Sequence, residues 1–129
     1  MRGILIDPKT RTITETDAYN GDYRSIYPII GCDRFDIVHI NASETVYVDD
    51  EGLINGNAAM NGFFYLIGDH PTALAGKGLI LGADDEGGTV PSRLALDEVK
   101  AMVRFGEPIE IHHHDMEFLA TDGQFYPLH

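Results

Sequence analysis

Three consecutive histidines, followed by Asp115 and Glu117, are the side chains in this sequence best suited to chemistry. Alternate residues of a β-strand lie on the same face, so His112 and His114 place two imidazoles side by side. Imidazoles and carboxylates are ligands that Zn²⁺ and Fe²⁺ accept. The pattern predicts a divalent-metal site at His112, His114 and Glu117, with no other cofactor. The alternative is a polar, solvent-facing edge strand that blunts aggregation.

Two acidic turns have nearly the same sequence, Asp49-Asp50-Glu51-Gly52 and Asp84-Asp85-Glu86-Gly87. Aspartate hydrogen-bonds nearby backbone and glycine accepts positive φ, so each sequence predicts a turn. Carboxylate oxygens suit Mg²⁺ or Ca²⁺ if the turns converge, but neither turn has the ligand spacing of an EF-hand. The candidate binding residues are Asp49, Asp50, Glu51, Asp84, Asp85 and Glu86. The alternative is that both turns are simply solvated.

The net charge of −12 comes from 21 acidic and 9 basic residues, and it is unevenly distributed. No Lys or Arg occurs from Phe35 to Gly76 or from Phe105 to His129. If these two segments meet in space, one face of the protein is strongly negative; otherwise the chain has two separate acidic surfaces. Such a charge repels phosphate backbones, so we expect no direct nucleic-acid binding and a basic protein as the partner.

Length and composition predict a single domain over residues 1–129. A chain of 129 residues, 43% of them hydrophobic, can bury one core. No apolar run approaches the roughly 20 residues that span a bilayer, so we expect no membrane interaction. The single cysteine, Cys32, excludes an internal disulfide and fits a reducing compartment, which predicts a cytoplasmic protein.

The pattern of apolar residues predicts an α+β fold with a mostly antiparallel sheet and one or two packed helices. The expected strands are Gly3–Asp7, Thr10–Thr16, Phe35–Ile40, Thr45–Val48, Gly78–Gly82, Glu107–His114, Glu117–Ala120 and Gln124–Tyr126. The run Phe63–Ile67 is either a strand or a helix. One short helix is capped by Asp22 and stopped by Gly31, and a second spans Asp97–Phe105 and is ended by Gly106.

The most distinctive segment is Val48-Asp49-Asp50-Glu51-Gly52-Leu53, which follows Ile26–Asp33 and Phe35–Ile40 and precedes Gly76–Asp85. Together these segments resemble a family of small phage- and plasmid-borne proteins known only as a domain of unknown function, family three-eight-four-six. The resemblance covers about Ile4 to Phe105. It implies a mobile-element origin and no established chemistry, so no catalytic residue is carried over, and the histidines lie beyond it.

Two functions remain open at this point. The first is a small, acidic, cytoplasmic interaction module of phage or mobile-element origin. Its negative face would bind a host defence protein or the basic surface of a host nucleic-acid-binding protein. The second is a metal-binding protein or metal-dependent enzyme that uses His112 and His114. Tyr19, Tyr23 and Tyr27 recur every four residues, which indicates one packed helical face or, if they are exposed, an anchor for a partner or a homodimer.

Overall fold

A computed structural model of the chain describes residues 1–50, 62–66, 73–111, 116–120 and 125–127. For residue 73 and the described residues from 107 onwards it describes the backbone alone. The strands are β1 (Gly3–Asp7), β2 (Thr12–Thr16), β3 (Phe35–His39), β4 (Glu44–Asp49), β5 (Phe63–Leu66), β6 (Ala73–Ala75), β7 (Gly78–Ala83), β8 (Thr89–Val90), β9 (Val103–Ile111), β10 (Met116–Ala120) and β11 (Phe125–Pro127). The helices are α1 (Ile26–Ile30), which follows a 3₁₀ turn at Tyr23–Ser25, and α2 (Leu96–Met102).

The described strands form two antiparallel sheets. The first sheet has the order β2-β1-β7-β4-β3, with β8 pairing the end of β7, and the second has the order β11-β10-β9-β5-β6. Two short helices accompany the sheets, so the predicted α+β class with a mostly antiparallel sheet is confirmed. No helix in the described part of the chain is long and apolar enough to cross a membrane.

Strand β7 lies at the centre of the first sheet and is buried on both faces. Ile80 packs into a core that the two sheets and α2 share, together with Ile4, Val46 and Phe64. The alternate residues Leu79 and Leu81 pack on the other face, beneath α1. A strand buried on both faces reads as a continuous apolar run rather than an alternation, which is why Gly78–Gly82 looks apolar throughout.

The first two expected strands form a hairpin, because β1 pairs β2 in antiparallel register from Gly3↔Thr16 to Asp7↔Thr12. The helix expected over Asp97–Phe105 ends earlier, at Met102, and β9 begins at Val103. The reason is tertiary: Val103 and Phe105 lie opposite Leu66 and Phe64 of β5. Cross-strand pairing of branched and aromatic residues outweighs their local helical pattern.

The segment from Pro91 to Ala95 crosses the end of β7 and carries the chain to α2. It lies so close to β7 that a Cβ at Gly82 would be 2.5 Å from the Pro91 carbonyl oxygen. Glu44, opposite Gly82 on β4, is only 2% exposed. Its Oε1 accepts a 2.6 Å hydrogen bond from the Arg93 backbone N–H, while Oε2 has no hydrogen-bond partner among the described residues. This buried carboxylate therefore anchors the crossing segment, and it accounts for one acidic residue that sequence reasoning assigned to the surface.

Candidate functional site

The two acidic turns lie at opposite ends of the first sheet. Strand β4 runs antiparallel to β7, with Val48 opposite Gly78 and Glu44 opposite Gly82. Asp49 and Asp50 therefore follow the Gly78 end of β7, whereas Asp84 follows its other end. The six residue steps from Gly78 to Asp84 correspond to about 20 Å of extended strand. The structure does not bring the two turns together, and Glu51 lies outside the described residues.

The Asp84 turn uses its first carboxylate to hold its own backbone. Asp84 Oδ1 accepts hydrogen bonds from the backbone N–H groups of Glu86 at 3.0 Å and Gly88 at 2.6 Å. The Asp84 backbone N–H in turn donates to the Gly88 carbonyl at 2.9 Å. Such a side-chain-to-backbone turn is a common role for Asp. Asp85 and Glu86 remain exposed.

Asp49 and Asp50 lie at a different kind of surface, where β3 begins and β4 ends. Asp49 is opposite Phe35 in the strand register, and the Asp50 backbone N–H donates to the Arg34 carbonyl at 3.0 Å. Asp33 is exposed, as is Asp50. We call Asp33, Asp49 and Asp50 the acidic corner.

Four aromatic side chains form a continuous row beside the acidic corner. The ring centroids of Tyr23 and Tyr27 are 6.3 Å apart, those of Tyr27 and Phe35 5.5 Å, and those of Phe35 and Tyr47 5.4 Å. Tyr23 is 58% exposed, and Ile37, which follows on β3, is 44% exposed. We call Tyr23, Tyr27, Phe35 and Tyr47 the aromatic row. Two edge-to-face contacts and one tilted contact hold the rings in place, so the row is a preformed surface.

The aromatic row corrects the expectation for the tyrosines. Tyr19 is buried under the outer face of the sheet, whereas Tyr23 faces solvent, so the three tyrosines do not share one packed face. Phe35 and Tyr47 join the row from two paired strands. Sequence reasoning missed them because it did not place β3 beside β4 in this register. The alternation of Phe35, Ile37 and His39 is the signal from which that face can be read.

The charge at the two ends of the aromatic row differs. At Tyr23, Arg24 Nη2 and Asp22 Oδ2 form a 2.7 Å ion pair, and the hydrogen bond from Arg24 lowers the pKa of Asp22. This pair is locally neutral. At the other end, Cys32 contacts the same cluster as Phe35 and Tyr47. The pKa of Cys32 is raised to about 11, chiefly by burial and then by the charges of Asp49 and Asp33. Two carboxylates at this end of the row therefore lie close enough to Cys32 to affect its thiol.

Cys32 is expected to react with iodoacetamide about tenfold more slowly in the folded protein than in denaturant at the same neutral pH. A pKa raised from 9.0 to about 11 cuts the thiolate fraction by roughly a hundredfold, and the greater nucleophilicity of a more basic thiolate recovers part of that loss. The rate in the folded state should keep rising above pH 9, because the thiol is still protonated there. Mass spectrometry of alkylated protein measures it. A folded-state rate that levels off at pH 9 would contradict a raised pKa for Cys32.

Strand β3 is an edge strand within the described part of the chain, pairing only with β4. The carboxylate of Asp36 accepts a 2.8 Å hydrogen bond from the backbone N–H of Ile37. A backbone N–H at the sheet edge that already donates to a side chain is not available to pair with another strand, which hinders the addition of that strand. This surface is therefore better suited to contacts through its side chains than to extension of the sheet.

The predicted metal site falls largely outside the described residues. His112 and His114 lie there, and for Glu117 the structure gives the backbone, which places it on β10 opposite Glu110 of β9. Within the ranges that the structure describes, no group of three or more His, Cys, Asp or Glu side chains is arranged to hold a metal ion. The site at His112, His114 and Glu117 stays a prediction.

A family model described as a domain of unknown function (DUF3846) matches residues 1–104 of the chain. No curated protein and no solved structure matches the chain. The match confirms the family resemblance read from the sequence over about Ile4 to Phe105. It includes the acidic corner and the whole aromatic row, whereas the histidines lie beyond the matched residues.

Proposed function

The chain belongs to the family described as a domain of unknown function (DUF3846), and from its own surface we propose that it is a small acidic interaction module that binds a basic protein segment. The binding surface is the aromatic row together with the acidic corner. The observation that carries the proposal is the continuous row of partly exposed rings beside carboxylates at the edge of the first sheet. This surface also includes two of the candidate binding residues, Asp49 and Asp50.

The chemistry of this surface suits arginine in particular. A guanidinium stacks on the face of a tyrosine or phenylalanine and at the same time forms paired hydrogen bonds with a carboxylate. Cation–π contacts contribute about 0.5–2 kcal/mol each, depending on how far they are desolvated. The aromatic row has room for more than one such contact, and the acidic corner supplies the counter-charge. An apolar residue of the partner would lie on Ile37, which is 44% exposed.

The partner that we propose is a host protein with a basic surface. The net charge of −12 steers basic proteins towards the chain and repels nucleic acid itself. In a phage or another mobile element, acting in the host cytoplasm, such a module would occupy the basic surface of a defence or nucleic-acid-binding protein. Inhibition of host defence would follow from competition with nucleic acid for that surface.

Titration with a short oligo-arginine peptide tests the proposal directly. We expect binding that weakens as salt is raised, because exposed charge pairs are screened. A peptide of the same length with citrulline in place of arginine has nearly the same shape without the charge and should not bind. An oligo-lysine peptide should bind more weakly than oligo-arginine, because lysine lacks the planar group that stacks. Equal binding of the arginine and citrulline peptides would contradict the proposal.

Tyr23→Ala is expected to weaken binding of the arginine peptide about fivefold, through loss of one exposed cation–π contact of about 1 kcal/mol. Because Tyr23 is 58% exposed, its removal should hardly alter the thermal stability of the fold. Isothermal titration calorimetry measures the affinity, and a thermal melt serves as the folding control. Unchanged affinity in a folded Tyr23→Ala protein would show that this ring does not contribute to peptide binding.

A metal-binding function remains the second candidate, and one backbone observation favours it. Glu110 and Glu117 occupy directly opposite positions on β9 and β10, and like charges at such positions destabilise a sheet unless a cation offsets them. Metal analysis of tag-free protein, with His112→Ala/His114→Ala as the control, tests this candidate. A thermal shift on adding Zn²⁺ that the double variant abolishes would support it; the same shift in both proteins would remove it.

A further inference from the structure

The spacing of the rings in the aromatic row favours one form of partner segment over another. Consecutive ring centroids are 6.3, 5.5 and 5.4 Å apart. Side chains three or four residues apart on an α-helix are separated by about 5–6 Å, whereas alternate side chains of an extended strand are separated by about 6.6 Å. A helix can therefore present one side chain to each successive ring, whereas an extended segment moves out of step with the rings by about 1 Å at each interval.

The orientation of the rings makes the row ridged rather than flat. Consecutive ring planes along it are inclined to each other by 80°, 42° and 75°. A flat, extended segment contacts rings in such an arrangement unevenly. Side chains that project from a helix form ridges of their own and pack into the grooves of an opposing surface. A guanidinium in such a groove lies against the face of one ring.

The strand beside the row has less to offer to the backbone of an extended partner. The backbone N–H of Ile37 already donates to the Asp36 carboxylate at 2.8 Å, and partners that bind as strands gain their affinity from such edge groups. A helix forms its own main-chain hydrogen bonds and binds through its side chains. Ile37 is 44% exposed and lies opposite Tyr47, so it offers a helix an apolar contact next to the rings.

We propose that the partner segment is an amphipathic α-helix with arginines at positions i, i+4 and i+7, which share one face, and an apolar residue at i+3 that lies on Ile37. This inference rests on the function proposed above, a module that binds a basic protein segment, and specifies the form of that segment. Nucleic-acid-binding proteins place arginine-bearing helices in the major groove of DNA. A recognition helix held on the aromatic row is no longer free to enter that groove.

Two alanine-based peptides of identical composition test the proposal on the full chain. In the first, three arginines occupy positions i, i+4 and i+7; in the second they occupy i, i+2 and i+4, which share one face only in an extended segment. We expect the first peptide to bind about fivefold more tightly, because one arginine of the second turns away from the rings when that peptide is helical. Calorimetry measures the affinities, and NMR shifts of the labelled first peptide should report helix in the complex.

The outcomes distinguish this inference from the function on which it rests. If the second peptide binds as tightly as the first or more tightly, the helical partner is overturned, and the surface still binds arginine. Binding of oligo-arginine but of neither designed peptide also overturns the helical partner alone. If oligo-arginine and both designed peptides fail to bind, the proposed function and this inference are overturned together.

Replacing Ile37 by Thr tests the apolar contact. Thr keeps the β-branched side chain that suits a strand, and Ile37 is 44% exposed, so the fold should be retained. The first peptide with leucine at i+3 should bind Ile37→Thr about threefold more weakly than it binds the unmodified chain, since less apolar surface is buried. The same peptide with alanine at i+3 is the control and should bind both proteins alike. Equal losses with the two peptides would overturn the placement of the helix on Ile37.

Discussion

Replacing Asp33 and Asp50 by Asn is expected to weaken binding of an oligo-arginine peptide about thirtyfold. Both residues are exposed in the acidic corner. Each carboxylate contributes about 1 kcal/mol to the binding free energy of a partner cation that also stacks on the aromatic row. Loss of both contributions, about 2 kcal/mol, corresponds to a thirtyfold change in affinity. Calorimetric titration at about 0.15 M salt, where the Debye length is about 8 Å, measures the effect. Both substitutions keep the shape of the side chain, so the fold should be retained.

The matched control is Asp85→Asn/Glu86→Gln. It removes the same two negative charges from exposed positions at the opposite end of the first sheet, where no aromatic row lies beside them. We expect its affinity for the peptide to remain within about twofold of that of the unmodified chain, because charges beyond a Debye length are largely screened. If both double variants lose affinity equally, binding depends on net charge alone and not on this surface.

Gly82→Ala is expected to lower the free energy of unfolding by about 3 kcal/mol, at the upper end of the usual cost of overpacking. The added Cβ would lie 2.5 Å from the Pro91 carbonyl oxygen and 3.0 Å from Val90 Cγ2. Pro91 is backbone, so relief requires the crossing segment to move as a whole. That movement also lengthens the partly buried hydrogen bond from the Arg93 backbone N–H to Glu44. Denaturant unfolding followed by circular dichroism measures the loss.

Gly21→Ala is the comparison for this prediction. Gly21 has a φ of +93° and no heavy atom within 4 Å of the added Cβ, so the substitution introduces backbone strain of about 1 kcal/mol without a clash. The difference between the two variants isolates the steric effect at Gly82. Equal destabilisation would mean that the crossing segment moves away at little cost and does not constrain β7.

Most of the fold can be predicted from the sequence, because residue types and spacing over a few positions indicate the individual strands. The hairpin of β1 and β2, the left-handed glycine that ends α1 at Gly31, and the apolar run of β7 all follow from residue type and spacing over a few positions. The transition from α2 to β9 does not. Val103 and Phe105 suit either a helix or a strand, and their pairing with β5 decides between them. Contacts between segments far apart in the chain leave no local signal.

The candidate surface is less predictable than the fold for the same reason. Asp49 and Asp50 stand out as an acidic turn, but nothing in their neighbourhood along the chain predicts the aromatic row beside them. That row needs the 3₁₀ turn, α1, β3 and β4 to meet. The Asp84 turn has almost the same sequence, yet it follows the opposite end of β7.

The location of the bound peptide tests the central claim most directly. Backbone amide shifts recorded by NMR during titration with oligo-arginine report which residues the peptide contacts. The account predicts that the largest shifts occur at Tyr23, Phe35, Ile37 and Asp50, and that the amides of Asp85 and Glu86 hardly move. Shifts centred on the Asp84 turn, or spread evenly over the acidic residues, would contradict binding through the aromatic row and the acidic corner.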